Sequence, residues 1–395
     1  MTRPDHQVTV QDWQRPELIG WSFSHVEEIL PTAIIGRGGS FPVELPYQPR
    51  DLQMLPVTGW AGETLTVADV VRATDTDAWL VLHGGQIVAE EYLGNTTPAT
   101  RHLLQSVSKS LVSTVLGALV GRGLVDPDRT VADYVPDLAE SGYGTATIRQ
   151  VLDMRSGIGF REDYLDPSSD SRMLEATTGW APLPEGATPG TLRSFIRNLR
   201  QIRPHGGVFE YRSCESDVLG LVCEGATGRR FPEIASELVW SRLGADHDAL
   251  ITVDSEGTGV FDGGICATLR DLARFGSTMV NGGRSPAGEQ ILPSDWVDDI
   301  FTGGDDSAQA FAEGPVDHLM PGGRYRSQFW LPTPGRDVAL ALGIHGQLIY
   351  LDRCLGLVGV KLSSWPEPQH TWKSATSLAM FAAISRYLVD GRGPR

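Results

Sequence analysis

The feature that most constrains this chain is a serine and a lysine three residues apart at the start of an apolar helix. Leu111, Val112, Val115, Leu116, Leu119 and Val120 recur at three- and four-residue spacing, so the stretch after Ser106 reads as a helix with one apolar face. Ser106 stands where that helix begins, and Lys109 follows on the same face. A serine hydroxyl is a weak nucleophile until a neighbour takes its proton. Lysine can do this only when neutral, and burial together with the positive end of the helix dipole would push it that way. The same helix end offers the Ser106 N–H to a developing oxyanion. The chain has only three lysines, Lys109, Lys361 and Lys373, within 33 Lys plus Arg. One of them stands where a base is needed, and arginine cannot act as a base. The bland reading is a capping serine and a solvated lysine on an ordinary helix.

The rest of the chain supplies strands at both ends and helices between. Residues 1–60 are rich in Pro and Gly, with scattered aromatics, and read as an irregular arm on the body. Two apolar runs, 78–83 and 86–92, flank Gly84-Gly85 and predict a β-hairpin. Residues 126–247 read as mainly helical, with a long polar loop at 161–206. An apolar helix from Asp217 to Ala226 ends at Gly228 as its C-cap. Further helices are predicted from Leu269 to Val280 and from about Lys373 to Leu388. Three strand-like runs between Val338 and Leu362 predict an antiparallel meander. The expected fold class is α/β. Residues 1–125 and 248–395 would make an antiparallel sheet flanked by helices, with 126–247 as an inserted, mainly helical domain.

Composition narrows the partners. A net charge of −16 argues against nucleic acid and anionic membranes. Cys214, Cys223, Cys266 and Cys354 form no C-x-x-C pair, and no metal or cofactor is expected. The polar N-terminus has no signal-like or membrane-spanning segment, which predicts a cytoplasmic protein with reduced thiols. A homodimer is left open.

Several segments then resemble one family. Ser106-Val107-Ser108-Lys109 resembles the first box of the serine β-lactamase and DD-peptidase superfamily. Residues 151–158 resemble its Leu-Leu-x-x-x-Ser-Gly stretch, 209–213 its Tyr-x-Asn box, and 263–273 its Gly-Gly…Thr-x-x-Asp-Leu segment. The likeness covers most of 78–390, in the right order. Within the class C-like branch, residues 102–110, 162–167, 343–347 and 360–366 resemble the nylon-oligomer (6-aminohexanoate-dimer) hydrolases and related carboxylesterases.

The resemblance implies a β-lactamase-like fold and an acyl-enzyme mechanism on small linear amides or esters. Ser106 would be the nucleophile, Lys109 its proton acceptor and Tyr211 the proton shuttle. The N–H groups of Ser106 and Ile344 would form the oxyanion hole. In the candidate substrate-binding set, Tyr164 resembles the family tyrosine that contacts the scissile amide, with a loop aromatic packed for stability as the alternative. Glu175, near Trp180, would hold a substrate ammonium or be a solvated loop acid. Asp262 would line the pocket or cap a helix, and His345 would lie beside the oxyanion strand, in a second layer or the core. Two departures bear on specificity. Ser213 stands where the family box has Asn. Ala341-Leu342-Gly343 stands where β-lactamases carry Lys-Thr-Gly, so the cation that grips a β-lactam carboxylate is missing. This favours an esterase or amidase over a penicillin-recognising carboxypeptidase. An acyltransferase on the same scaffold and a non-catalytic binding protein stand as rival readings.

Overall fold

The strands sort their side chains by alternation, and that alternation builds the layers. In the computed structural model, which describes residues 4–39, 41–332 and 337–390, the strands in chain order are β1 (Thr32–Ile35), β2 (Pro56–Thr58), β3 (Thr64–Thr66), β4 (Thr76–His83), β5 (Gln86–Tyr92), β6 (His102–Leu103), β7 (Ala249–Thr252), β8 (Ile265–Ala267), β9 (Arg324–Arg326), β10 (Phe329–Leu331), β11 (Val338–Gly343), β12 (Gln347–Asp352) and β13 (Leu357–Ser363). The main sheet has the order β5-β4-β13-β12-β11-β10-β9, with every pairing antiparallel. It is made from both ends of the chain. Leu80, Leu82, Ile349, Leu351, Val358 and Val360 enter one core cluster, under the helix Leu269–Val280. Their neighbours Trp79, Val81, Leu348, Tyr350 and Leu357 enter another, under the helices Val67–Ala73 and Thr371–Asp390. Both faces are covered, so these strands read as near-continuous apolar runs.

Between residues 126 and 247 the named elements are all helices, joined by long irregular stretches, and Val151, Leu152, Val218 and Leu219 join the same cluster as the first sheet face. Two expectations need correction. The first 60 residues are no mere irregular arm: β1 pairs with β7 in a second sheet, β1-β7-β8-β6, and Trp13 and Phe23 are buried. The polar stretch 161–206 is also more ordered than a loop. It carries a helix at Asp170–Thr177, capped by Ser169, and another at Leu192–Asn198, with a Thr191/Ser194 capping box. Their apolar positions are too few to stand out among Gly, Pro and acids.

The nucleophile helix, Val107–Val120, also departs from its expected single apolar face. Every residue from Val107 to Leu119 is buried. Its hydroxyls find partners: Ser108 Oγ accepts from Ile265 N at 3.1 Å, and Ser110 and Ser113 donate to the carbonyls of Gln328 and Ser327 at 2.8 and 2.7 Å. Buried polar groups persist only when paired in this way.

Candidate active site

Ser106 enters its helix through a strained corner. β6 pairs with β8, and the chain then turns at Gln105, whose φ of 48° lies in the left-handed region. Such a conformation costs of order 1–3 kcal/mol for a residue other than glycine. Ser106 occupies the N-cap position but makes no side-chain capping bond. Its hydroxyl is free for chemistry, which removes the capping reading. Lys109, 1% exposed, donates from Nζ to Ser106 Oγ at 2.9 Å and to the Asp262 carbonyl at 2.6 Å.

Tyr211 closes the other side. Its ring lies 5.5 Å from Lys109 Nζ, and Ser106 and Lys109 both bear on the ionisation of its phenol. Trp330 stacks on the ring at 5.4 Å, and Tyr325 meets it edge-on at 6.2 Å. The next residue, Arg212, is 1% exposed and pairs with buried Glu215 at 3.4 Å and with Glu210, so the segment is anchored from below. Burial pushes the Tyr211 phenol above its ordinary value, and the Lys109 charge only partly offsets this.

The expected second oxyanion donor, Ile344, stands in the β11–β12 turn. A Cβ at Gly343 would fall 2.7 Å from the Leu104 carbonyl and 3.2 Å from Gln105 Cβ. Only glycine lets the end of β11 lie against the backbone leading to Ser106. Ile344 follows directly. Among the described residues neither the Ser106 N–H nor the Ile344 N–H has a hydrogen-bond acceptor.

Carboxyl groups crowd this centre, and two of them escaped sequence reasoning. Glu162 accepts from Ser213 N (2.8 Å), Ser213 Oγ (2.6 Å) and Tyr164 Oη (2.6 Å). Ser213, the departure from the family box, is thus the partner of Glu162. Asp217, fully buried, accepts from the N–H groups of Phe261 and Asp262 at 3.0 and 3.2 Å, fixing the backbone whose carbonyl holds Lys109. Burial is the main force raising Glu162, Asp217 and Asp262 above the ordinary carboxylate range, and the Lys109 charge pulls each back. No sequence signal joins Glu162 to a residue 51 positions away.

The expectation that burial and the helix dipole lower Lys109 meets opposing charges nearby. Burial does push it down, but the oxygen of Tyr211 and the carboxyls of Asp262, Glu162 and Asp217 together outweigh this and hold it above the usual lysine value. Its Nζ donates to both Ser106 Oγ and the Asp262 carbonyl.

The expected substrate-site residues separate. Tyr164 and Asp262 are half-buried beside the dyad. Glu175 lies at its edge, already paired with Arg172, and burial pushes it up to about 7. Trp180 is 5% exposed; its indole donates to Thr252 Oγ1 at 3.1 Å and backs Gly263. It forms wall more than contact surface. His345 is a core residue: its ring meets Phe23 edge-on at 5.3 Å, and Nδ1 lies 2.7 Å from the Trp365 carbonyl.

A cavity of about 620 Å³ lies elsewhere, between Trp21, Glu27 and Asp77. Its acids are already engaged, Glu27 with Arg101 and Asp77 with His102 and Ser364. No group of His, Cys, Asp and Glu suited to a metal ion occurs among the described residues.

The fold is that of the serine β-lactamase, penicillin-binding-protein and esterase superfamily, and the β-lactamase family model matches residues 66–383. The chain belongs to the β-lactamase family. It is 38% identical over 384 residues to the 6-aminohexanoate-dimer hydrolase of Paenarthrobacter ureafaciens, covering 97% of this chain and 94% of that one. A Bacillus anthracis structure with the proposed assignment of 6-aminohexanoate-dimer hydrolase superposes with a TM-score of 0.89, at 25% identity over 99% of both chains. A family VIII carboxylesterase shares the fold, with a TM-score of 0.61 at 17% identity over 81% of this chain and 96% of its own.

Proposed function

We propose that this protein hydrolyses small linear amides and esters of the 6-aminohexanoate-oligomer kind through an acyl-enzyme on Ser106. It is a serine hydrolase of the amidase and carboxylesterase type. The observation that carries the site assignment is the buried Lys109 Nζ at 2.9 Å from Ser106 Oγ, with Tyr211 against both.

Ser106 Oγ attacks the carbonyl carbon, and the new oxyanion is held by the N–H groups of Ser106 and Ile344. Lys109 must first give up a proton before it can take one from Ser106. Glu162 and Asp262 are the carboxyls of the surrounding segments that would take it. Tyr211 protonates the departing nitrogen; its phenolate then takes a proton from the water that attacks the Ser106 ester, and Lys109 returns a proton to Ser106 Oγ as the acid leaves. An ammonium on the substrate chain suits the carboxyls of Glu175 and Asp262. A cytoplasmic setting fits the free thiols of Cys214, Cys223, Cys266 and Cys354; no helix among the described residues is long and apolar enough to cross a membrane.

The test is a panel of short p-nitrophenyl esters, 6-aminohexanoate oligomers and benzylpenicillin, with intact-mass detection of the acyl-enzyme. The first two groups should be turned over, and penicillin slowly or not at all, because Ala341-Leu342-Gly343 brings no cation. Ser106→Ala should lower kcat by about 10³-fold or more and abolish the mass adduct. An adduct that persists in Ser106→Ala moves the site elsewhere.

A further inference from the structure

Ile344 reaches the site on a turn its own sequence disfavours. β11 and β12 pair from Val338↔Asp352 to Gly343↔Gln347, which leaves Ile344, His345 and Gly346 to reverse the chain. His345 has φ 59° and Gly346 φ 90°. A left-handed histidine costs of order 1–3 kcal/mol and persists only where its surroundings over-determine it.

Those surroundings centre on one side chain. Gln347 is 1% exposed. Its Nε2 donates to the carbonyls of Ser363 at 2.6 Å and His345 at 3.2 Å, and its Oε1 accepts from Ser363 N at 3.1 Å. The ladder between β12 and β13 stops at Leu348↔Lys361. The Gln347 amide takes over where the backbone pairing ends, and it ties the turn to the end of β13. Ser363 is itself held, since Lys361 Nζ donates to its hydroxyl and to the Thr74 carbonyl at 3.2 Å. The Trp365 ring packs on Gly346, where a Cβ would fall 2.2 Å from it. The His345 N–H donates to the Pro368 carbonyl at 2.8 Å, while the Ile344 N–H has no acceptor among the described residues.

We propose that Gln347 is a positioning residue of the oxyanion hole: its amide locks the left-handed turn and so sets where the Ile344 N–H stands relative to Ser106. This rests on the reading of Ser106 and Ile344 as the oxyanion donors. A donor displaced by about an ångström can cost on the order of 10²-fold in rate while substrate still binds.

The experiment compares wild type with Gln347→Met, which keeps the shape and loses all four side-chain bonds, and with Gln347→Glu, which keeps the size and loses the three donated ones, to Ser363, His345 and, at 3.5 Å, Ile344. Active sites are counted by fluorophosphonate labelling and intact mass. Then kcat and KM for a short p-nitrophenyl ester are measured, with the affinity of an alkyl boronic acid, which forms a tetrahedral adduct on Ser106. The expected result is a fall in kcat per labelled site of about 10–100-fold, boronic-acid affinity weakened in parallel, and KM within about threefold. If both variants keep kcat per labelled site and boronic-acid affinity within about twofold of wild type, or lose activity only in step with folded protein, the clamp is wrong. Ser106→Ala tests the premise separately. Boronic acid that binds it as tightly as wild type removes the acyl-enzyme reading; Ser106-dependent binding untouched by the Gln347 variants removes only the clamp.

Discussion

At the scale of single residues the site separates two proton carriers. On the proposed mechanism Lys109 serves the nucleophile, whereas Tyr211 comes from a different segment and would face the leaving group. An amide nitrogen must be protonated as it leaves; a p-nitrophenolate leaves unaided. Tyr211→Phe should therefore lower kcat/KM for a 6-aminohexanoate dimer by about 10²–10⁴-fold more than for a p-nitrophenyl ester. Lys109→Met should damage both alike. Equal losses for Tyr211→Phe on the two substrates would put Tyr211 on the nucleophile side instead. Glu175 adds a pH dependence. Burial raises it to about 7, with Arg172 pulling back, so it is anionic above that pH and gains a proton below it. If its charge holds a substrate ammonium, KM for the dimer rises as pH falls through about 7, while KM for an uncharged ester stays level. A dimer KM flat across that range in wild type would remove Glu175 from substrate binding.

At the scale of elements, close approach between layers leaves no room for added atoms. The final helix, Thr371–Asp390, lies so near the sheet that a Cβ on Gly359 in β13 would meet the Phe381 ring at 2.3 Å. Gly359→Ala should destabilise the fold by about 1–3 kcal/mol through overpacking, read as a lower thermal midpoint. Kinetics per labelled site should hold, because Gly359 touches none of the catalytic groups. The nucleophile helix shows the complementary device. Its Ser110 and Ser113 bind the carbonyls of two consecutive left-handed residues, Gln328 and Ser327, so this helix is tied to the chain joining β9 and β10.

At the scale of the whole molecule, the N-terminal segment works as a strap across the region before the active site. The Trp13 indole donates to the Trp180 carbonyl at 2.7 Å and meets that ring edge-on at 5.4 Å, holding the end of the helix Asp170–Thr177 that carries Glu175. Trp13→Ala should cost about 3–5 kcal/mol and speed proteolytic cleavage within 161–206; unchanged cleavage there would show that the segment stands without the strap. The sequence by itself determined what local spacing and alternation can encode. The Ser106–Lys109 pair on a helix, the hairpin about Gly84-Gly85 and the two-ended sheet were all legible, because periods of two and 3.6 residues act over a few positions. The Tyr211 and Ile344 assignments came from resemblance to ordered boxes. Only the tertiary structure decided the rest. The charge of Lys109 depends on carboxyls from distant segments, Glu162, Asp217 and Asp262, which neither burial nor the helix dipole reveals. Glu162 meets Ser213, and Gln347 meets Ser363, because the fold closes on itself; electrostatics and hydrogen bonding act through space, and a single sequence records neither distance.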